Sequence, residues 1–266
     1  MPVRIDSPKN QTIKDLVRLK ERRHRDAQRR YLIEGTREVT RALSANIALE
    51  EIFICPEILR PEGRALVETL TLPQTEVSPD AFKRLSLRQN PDGVLGVAQM
   101  VEKRLETLTL APDALLLVVD GVEKPGNLGA LLRTADAGDL AAVFVTGAGT
   151  DLYNPNVIRA SLGSVFSRPV VAVETGLLLE FLRAGGFKLI AATPDAARTY
   201  WDEDYRGGVA IVLGTEHTGL GPDWREAATA NVAIPMHGLA DSLNVSVAGA
   251  LLVYEALRQR AEGEKR

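Results

Sequence analysis

The sequence predicts an α/β protein with a mostly parallel sheet in its C-terminal part and a smaller α/β domain before it. Three observations carry this. The run Leu115-Leu-Leu-Val-Val119 is continuously apolar, as in a strand of a parallel sheet covered on both faces. Val209-Ala-Ile-Val-Leu213 is a second such run. Between and around them, helical and strand periodicities alternate along the chain, the pattern of a parallel α/β domain.

In order, residues 9–30 read as one charged helix with Ile13, Leu16, Val17 and Lys20 on its inner stripe. A helix over 35–43 and a strand over 51–55, stopped by Pro56, come next. Residues 62–70 (helix), 75–77 (strand), 79–86 (helix) and 93–101 (strand) continue the alternation. The polar stretch 102–113, with Pro112, separates a domain over 1–105 from one over 114–266. In the second domain the strands are expected at 115–119, 141–146, 170–173, 188–192, 209–213 and 231–234. Helices are expected over 128–137, 155–163, 177–184 and 245–260. The last has Val245, Ala248, Leu252, Val253 and Ala256 as its buried face, and small residues Ser246, Gly249 and Ala250 that allow close approach.

Of the 266 residues, 45% are apolar and 25% charged, an ordinary globular composition. The net charge of -3 exerts no global pull on nucleic acid. Locally the balance differs: nine basic residues between Lys9 and Arg30 face only Asp15, Glu21 and Asp26. Arg18, Arg22, Arg23, Arg25, Arg29 and Arg30 make this segment a candidate phosphate-tracking surface or a solvated charged helix. One cysteine, Cys55, excludes an internal disulfide, and three scattered histidines argue against a metal site. The N-terminus carries no apolar leader, and no apolar run approaches the ~18 residues of a membrane span, so a cytoplasmic protein is expected.

Three segments carry chemistry. Asp120 to Asn127 leaves a strand and enters a helix, with Asn127 where an N-cap belongs. Leu128, Leu131, Leu132 and Ala135 form the core stripe, and Arg133 lies away from it. By spacing alone these are a capping Asn and a solvated Arg. Gly214-Thr-Glu-His-Thr-Gly219-Leu-Gly221-Pro222 follows a buried strand and suits close backbone approach to a ligand. Glu216 there is a ligand acceptor or a helix-dipole partner. Ile234-Pro-Met-His-Gly-Leu-Ala-Asp-Ser-Leu-Asn-Val-Ser-Val-Ala248 turns a strand into the last helix, with Ser242 or Asn244 as its cap. Phosphate-loop and nucleophile-elbow motifs are absent from the sequence. Gly147-Ala-Gly149 is a broken dinucleotide fingerprint, since Leu152 stands at its third glycine, which disfavours a dehydrogenase.

In that order the three segments resemble the TrmH/SpoU branch of the SPOUT RNA methyltransferases. The family motifs match Asn127 to Thr134, Gly214 to Leu220 and Ile234 to Ala248. The likeness covers about 114–260, and the basic N-terminal segment with Glu34-Gly35 is similar to the family's substrate-binding domain, a small ribosomal RNA-binding fold. The resemblance implies methyl transfer from S-adenosylmethionine to a ribose 2′-hydroxyl of RNA, a C-terminal trefoil knot and a homodimer. It places cofactor contacts at Thr193, Leu213, Gly214, Gly219, Ile234, Met236, Leu243 and Ser246, and the reaction shell at Arg133, Asn127, Glu216, Ser242 and Asn244. A guanidinium, with a pKa above ~12, is an unusual base. Arg133 either takes the hydroxyl proton or binds the adjacent phosphate and orients the hydroxyl. A whole α/β substrate domain favours ribosomal RNA over tRNA. A tRNA 2′-O-methyltransferase and a non-catalytic RNA-binding relative are the alternatives.

Overall fold

The computed structural model describes residues 3–147, 151–215 and 218–263. It divides into two compact units: residues 3–101 with 151–167, and residues 102–147 with 168–263. The segment 151–167 thus packs with the first unit although it lies, in sequence, inside 114–266.

The first unit begins with β1 (Val3–Ile5), α1 (Gln11–Arg18), α2 (Arg22–Gln28) and β2 (Arg30–Glu34). α3 (Thr36–Ser44), β3 (Leu49–Ile54), α4 (Pro61–Thr69), β4 (Gln74–Val77), α5 (Pro79–Leu85) and β5 (Val94–Gln99) follow. The sheet order is β1-β4-β3-β5-β2; β5 runs antiparallel to both β3 and β2, and the other pairs are parallel. The single helix expected over 9–30 is not found. Leu19 closes α1, and Arg29, in the left-handed region at φ 53°, closes α2. Residues 30–34 then pair with 95–99, far along the chain, and that ladder overrides local helical preference. Ile13, Leu16 and Leu19 still point inward, against Phe53, Phe82 and Leu95. Each such burial contributes about 1.5–3 kcal/mol. Lys20, expected on the same stripe, is half-buried and donates Nζ to the carbonyls of Arg84 and Ser86, both at 2.9 Å.

The second unit is built on β6 (Leu115–Asp120), α6 (Pro125–Ala137) and β7 (Ala142–Thr146). After α7 (Pro155–Ala160), which belongs to the first unit, it continues with β8 (Val170–Ala172), α8 (Thr175–Ala184), β9 (Lys188–Ala192) and β10 (Arg198–Thr199). β11 (Val209–Leu213), α9 (Pro222–Ala227), β12 (Ala230–Ala233) and α10 (Val245–Gly263) complete it. The sheet order is β10-β12-β9-β11-β6-β7-β8, and every neighbouring pair is parallel. β11 is buried along its whole length, as a strand covered on both faces must be. Trp224 of α9, a helix the periodicity did not reveal, is buried against Val212 and Ala210 in the same core. Gly249 sets the seat of α10: a Cβ there would lie 2.4 Å from Leu131 Cδ2 of α6 and 2.8 Å from Leu213 Cδ1 of β11. Its smallness therefore serves packing inside the unit. No helix among the described residues is long and apolar enough to cross a membrane.

Candidate functional site

Parallel strands leave their ligand sites outside their carboxyl ends. Here β9, β11 and β12 end side by side, and a cleft of about 400 Å³ opens there, within the range of small-ligand sites. β9 leads into Ala192, Thr193 and Pro194; β11 supplies Leu213 and Gly214; the chain beyond β12 supplies Ile234, Met236, Ser242 and Leu243. Val245 and Ala248 of α10 close one side. Of the residues expected at the cofactor, Thr193, Leu213, Gly214, Gly219, Ile234, Met236 and Leu243 all line this cleft, with Ser242 beside them.

The glycines are there for geometry. A Cβ on Gly214 would lie 2.4 Å from the carbonyl carbon and oxygen of Gly219 and 2.5 Å from the nitrogen of Leu220. Two backbone strands of one loop pass each other at that point. Thr215 N donates to Gly219 O at 3.1 Å, and Gly219 N returns a bond to Thr215 O at 3.2 Å. Gly219 itself has φ +67°, a conformation L-residues rarely adopt. Thr218 N donates to Thr215 Oγ1 at 2.9 Å, closing the loop from its side-chain end. Glu216 and His217, which follow Thr215 in the sequence, lie outside the described residues, as do Ala148 and Gly149.

Thr193 Oγ1 lies buried in the wall of the cleft, on the side of the Asp195 carboxylate. Thr193 is 4% exposed, and among the described residues its hydroxyl makes no well-formed hydrogen bond, the Asp195 carboxylate being its nearest polar neighbour. Burying a hydroxyl without a partner costs about 1–3 kcal/mol. A ligand group that bonds to it recovers that cost. Arg225 and Asp195, which spacing did not suggest, pair at the rim of the cleft. The Arg225 guanidinium holds the Asp195 carboxyl below its usual range.

A second constellation stands at the N-termini of α6 and α10. The sequence places Asn127 as a helix cap, and the structure corrects this. Pro125 takes the first helical position and Lys124 the cap, so Asn127 falls one turn inside. Its Oδ1 instead accepts from Asn244 Nδ2 at 3.1 Å, a bond across 117 residues of sequence. Asn244 in turn starts α10, its Oδ1 accepting from Ser246 N at 3.0 Å and Ser246 Oγ at 2.6 Å. Ser246 is engaged with Asn244 and is not among the residues that line the cleft. Ser242 Oγ donates to Asp241 Oδ1 at 3.3 Å. Arg133, six residues beyond Asn127, is exposed, away from the cleft lining, and without an ion pair among the described residues.

Within the basic segment of the first unit, one residue departs from expectation. Arg25 is 1% exposed and donates to Leu19 O and Lys20 O, both at 2.8 Å, and to Asp151. It is a buried structural cation, closed to RNA. Arg18 pairs with Asp15 at 3.1 Å, Arg22 with Asp26 at 3.6 Å, Arg23 with Glu21 at 2.9 Å and Arg30 with Glu50 at 3.3 Å. Arg29 is exposed at the end of α2. Among the described residues no group of three or more His, Cys, Asp or Glu side chains could hold a metal ion.

Comparison with known proteins agrees with this geometry. A model of the SpoU rRNA Methylase family matches residues 114–254, and a model of the MRM3-like substrate binding domain matches residues 10–96. The 23S rRNA (guanosine(2553)-2′-O)-methyltransferase RlmP of Bacillus subtilis is 32% identical over 250 residues, 94% of this chain and 97% of that protein. A crystal structure described as an RNA 2′-O ribose methyltransferase is 51% identical, with a TM-score of 0.88 over 97% of this chain and 100% of that one. The SpoU methyltransferase AviRb from Streptomyces viridochromogenes, solved in complex with the cofactor AdoMet, is 28% identical, with a TM-score of 0.88 over 95% of this chain and 99% of that one.

Proposed function

We propose, because this chain belongs to the SpoU rRNA methylase family, that it transfers the methyl group of S-adenosylmethionine to a ribose 2′-hydroxyl of ribosomal RNA. The observation that carries the proposal is the cleft at the ends of β9, β11 and β12, with the buried Thr193 hydroxyl in its wall. The cleft fits the cofactor. Leu213, Ile234, Met236 and Leu243 give apolar walls, and Gly214 and Gly219 bring backbone to the surface. When bound, S-adenosylmethionine supplies a methyl group made electrophilic by its sulfonium.

The remaining work falls to the chain's own residues. Arg133 has five N–H donors and no acceptor, and among the described residues no carboxylate pairs with it. That inventory favours the orienting role: the guanidinium grips the phosphate beside the target ribose and directs its hydroxyl, a matter of positioning. The Asn127–Asn244 bond holds the starts of α6 and α10 together, so that Arg133 and the 242–245 turn keep a fixed separation. Glu216 belongs to the same proposed shell.

The homodimer of the family is part of this reading. It is supported by the exposed face of α10, where Val247, Leu251 and Tyr254 lie 48%, 38% and 53% open beside Tyr200. The trefoil knot and, given a ribosomal substrate, a cytoplasmic location complete it. The test is transfer of labelled methyl from S-adenosylmethionine to ribosomal RNA freed of protein, followed by mapping of 2′-O-methyl positions. No label on any ribose would sink the assignment.

A further inference from the structure

The structure assigns the RNA backbone of the substrate to a surface of the first unit other than its most basic stretch of sequence: the face formed by Arg37, Arg41, Arg159 and the turn that follows α5. The inference rests on RNA being the substrate and names where the first unit holds it.

The α1–α2 arginines are already answered by carboxylates, as the ion pairs of Arg18, Arg22 and Arg23 show. Arg41 and Arg159 are different. Both are exposed, and among the described residues each is held by a backbone carbonyl and by no carboxylate. Arg41 Nη1 donates to Leu162 O at 3.0 Å, and Arg159 Nη1 to Leu87 O at 3.1 Å. A carbonyl orients a guanidinium without cancelling its charge, and most of the five donors stay available. Such a group is set for the fork-like binding of a phosphate.

The surroundings bring these cations together. Gly163, at φ +84°, lets the chain after α7 come against α3; a Cβ there would lie 3.2 Å from both Arg41 Cβ and Glu38 Cα. Arg37 Nη2 lies 3.5 Å and Arg88 Nη2 2.9 Å from the carboxylate of Glu38, which is 1% exposed. Against four guanidiniums stand Glu38 and Glu34, both buried, and Asp92, which is partly buried. The local excess is therefore positive and faces outward.

The turn after α5 is held stiffly beside them. The Glu34 carboxylate accepts from Leu87 N at 2.8 Å and from Ser86 Oγ. Asp92 accepts from Thr36 N at 2.8 Å, and Arg88 Nη2 donates to Glu34 O at 3.0 Å. Buried carboxylates add little net stability, but they fix geometry. What they fix here is an exposed Gln89-Asn90 tip next to Arg159's carbonyl anchor, two amide side chains able to pair with an unstacked base.

The test compares Arg41→Ala/Arg159→Ala with Arg18→Ala/Arg23→Ala in the full chain, with fluorescently labelled, protein-free ribosomal RNA as the probe. The first variant should weaken binding at least tenfold and lower the slope of log K against log salt by about 2, one phosphate contact per arginine. Its KM for RNA should rise while kcat at saturation and affinity for S-adenosylmethionine stay unchanged. The second should bind within twofold of wild type. Arg41→Lys/Arg159→Lys, which keeps the charges, should recover most of the salt slope. Unchanged RNA affinity in the first variant would overturn the inference, as would an equal loss in the second or a lysine variant as weak as the alanine one. If the alanine variant keeps its RNA affinity but fails only on intact ribosomal particles, the face serves a protein partner and the inference is likewise overturned. A wild-type protein that methylates no ribose would instead remove the functional reading itself.

Discussion

Gly214→Ala is the substitution whose effect the structure determines most sharply. The new methyl group would lie 2.4 Å from the carbonyl carbon and oxygen of Gly219. Ordinary contact is ~3.5 Å or more, so the overlap is about 1 Å. The atoms met are backbone, which no rotamer change can move aside. The loop must open, breaking the paired bonds between Thr215 and Gly219 at 3.1 and 3.2 Å. At about 1 kcal/mol each, the loss is about 2 kcal/mol. The loop is a wall of the cleft, so the loss is expected in ligand affinity: roughly 30-fold in Kd for S-adenosylmethionine. Titration calorimetry on both proteins reads this directly. Gly238→Ala, in the neighbouring loop with nothing within 4 Å of its new Cβ, should change Kd less than twofold. A Gly214→Ala protein that binds the cofactor within threefold of wild type would refute the reasoning.

Other outcomes follow from the same geometry. Arg133→Ala should bind S-adenosylmethionine as wild type does yet lose at least about 100-fold in transfer, a scale typical of a lost orienting or proton-handling group; turnover near wild type would remove Arg133 from the reaction. Arg25→Ala strands Asp151 and two backbone carbonyls, and breaking a buried pair costs about 3–5 kcal/mol. Because Arg25 Nε already lacks a partner, the low end is expected, readable as a shifted urea midpoint; a loss under about 1 kcal/mol would contradict it. Burial pushes the Cys55 thiol up to about 11, so the folded protein should resist a disulfide reagent at pH 8 and react at one equivalent once unfolded. The sign for stability follows: the folded state holds that proton more tightly, so raising pH from the ordinary thiol value of ~8.5 towards about 11 favours the unfolded chain. Rapid labelling of the native protein would refute both.

What the amino-acid sequence revealed, and what it hid, has physical reasons. The runs 115–119 and 209–213 were readable because strands covered on both faces must be apolar throughout. The core stripe of α6 was readable for the same reason, since Leu128, Leu131, Leu132 and Ala135 are all buried. The strand 30–34 was not, because its pairing partner lies more than sixty residues away and its neighbours are helix formers. Asn127 read as a cap because caps are common at such junctions; Pro125 moved the helix start and turned its side chain towards Asn244. The cleft residues came from two of the three motifs and the turn after β9, which spacing alone could not have joined. Arg225 and Asp195, thirty residues apart and in no motif, left no trace to follow. In the basic stretch, charge counted along the chain shows neither the burial of Arg25 nor the partners that folding brings to Arg25 and Arg30, Asp151 and Glu50.

The return of residues 151–167 to the first unit has a consequence for how this protein could be taken apart or exchanged. A fragment ending near residue 105 would carry Arg25 without Asp151, and Tyr31 without the tilted rings of Tyr153 and Phe166 whose centroids lie 4.7 and 6.4 Å from its own. It would also leave the Leu162 carbonyl behind, and with it the anchor of Arg41. The two units are thus interleaved in the chain, not strung one after the other. A chimaera that borrows a relative's substrate-binding region must replace two separate stretches together. Evolution faces the same restriction, so a change of RNA target by wholesale exchange of the first unit requires two coordinated cuts.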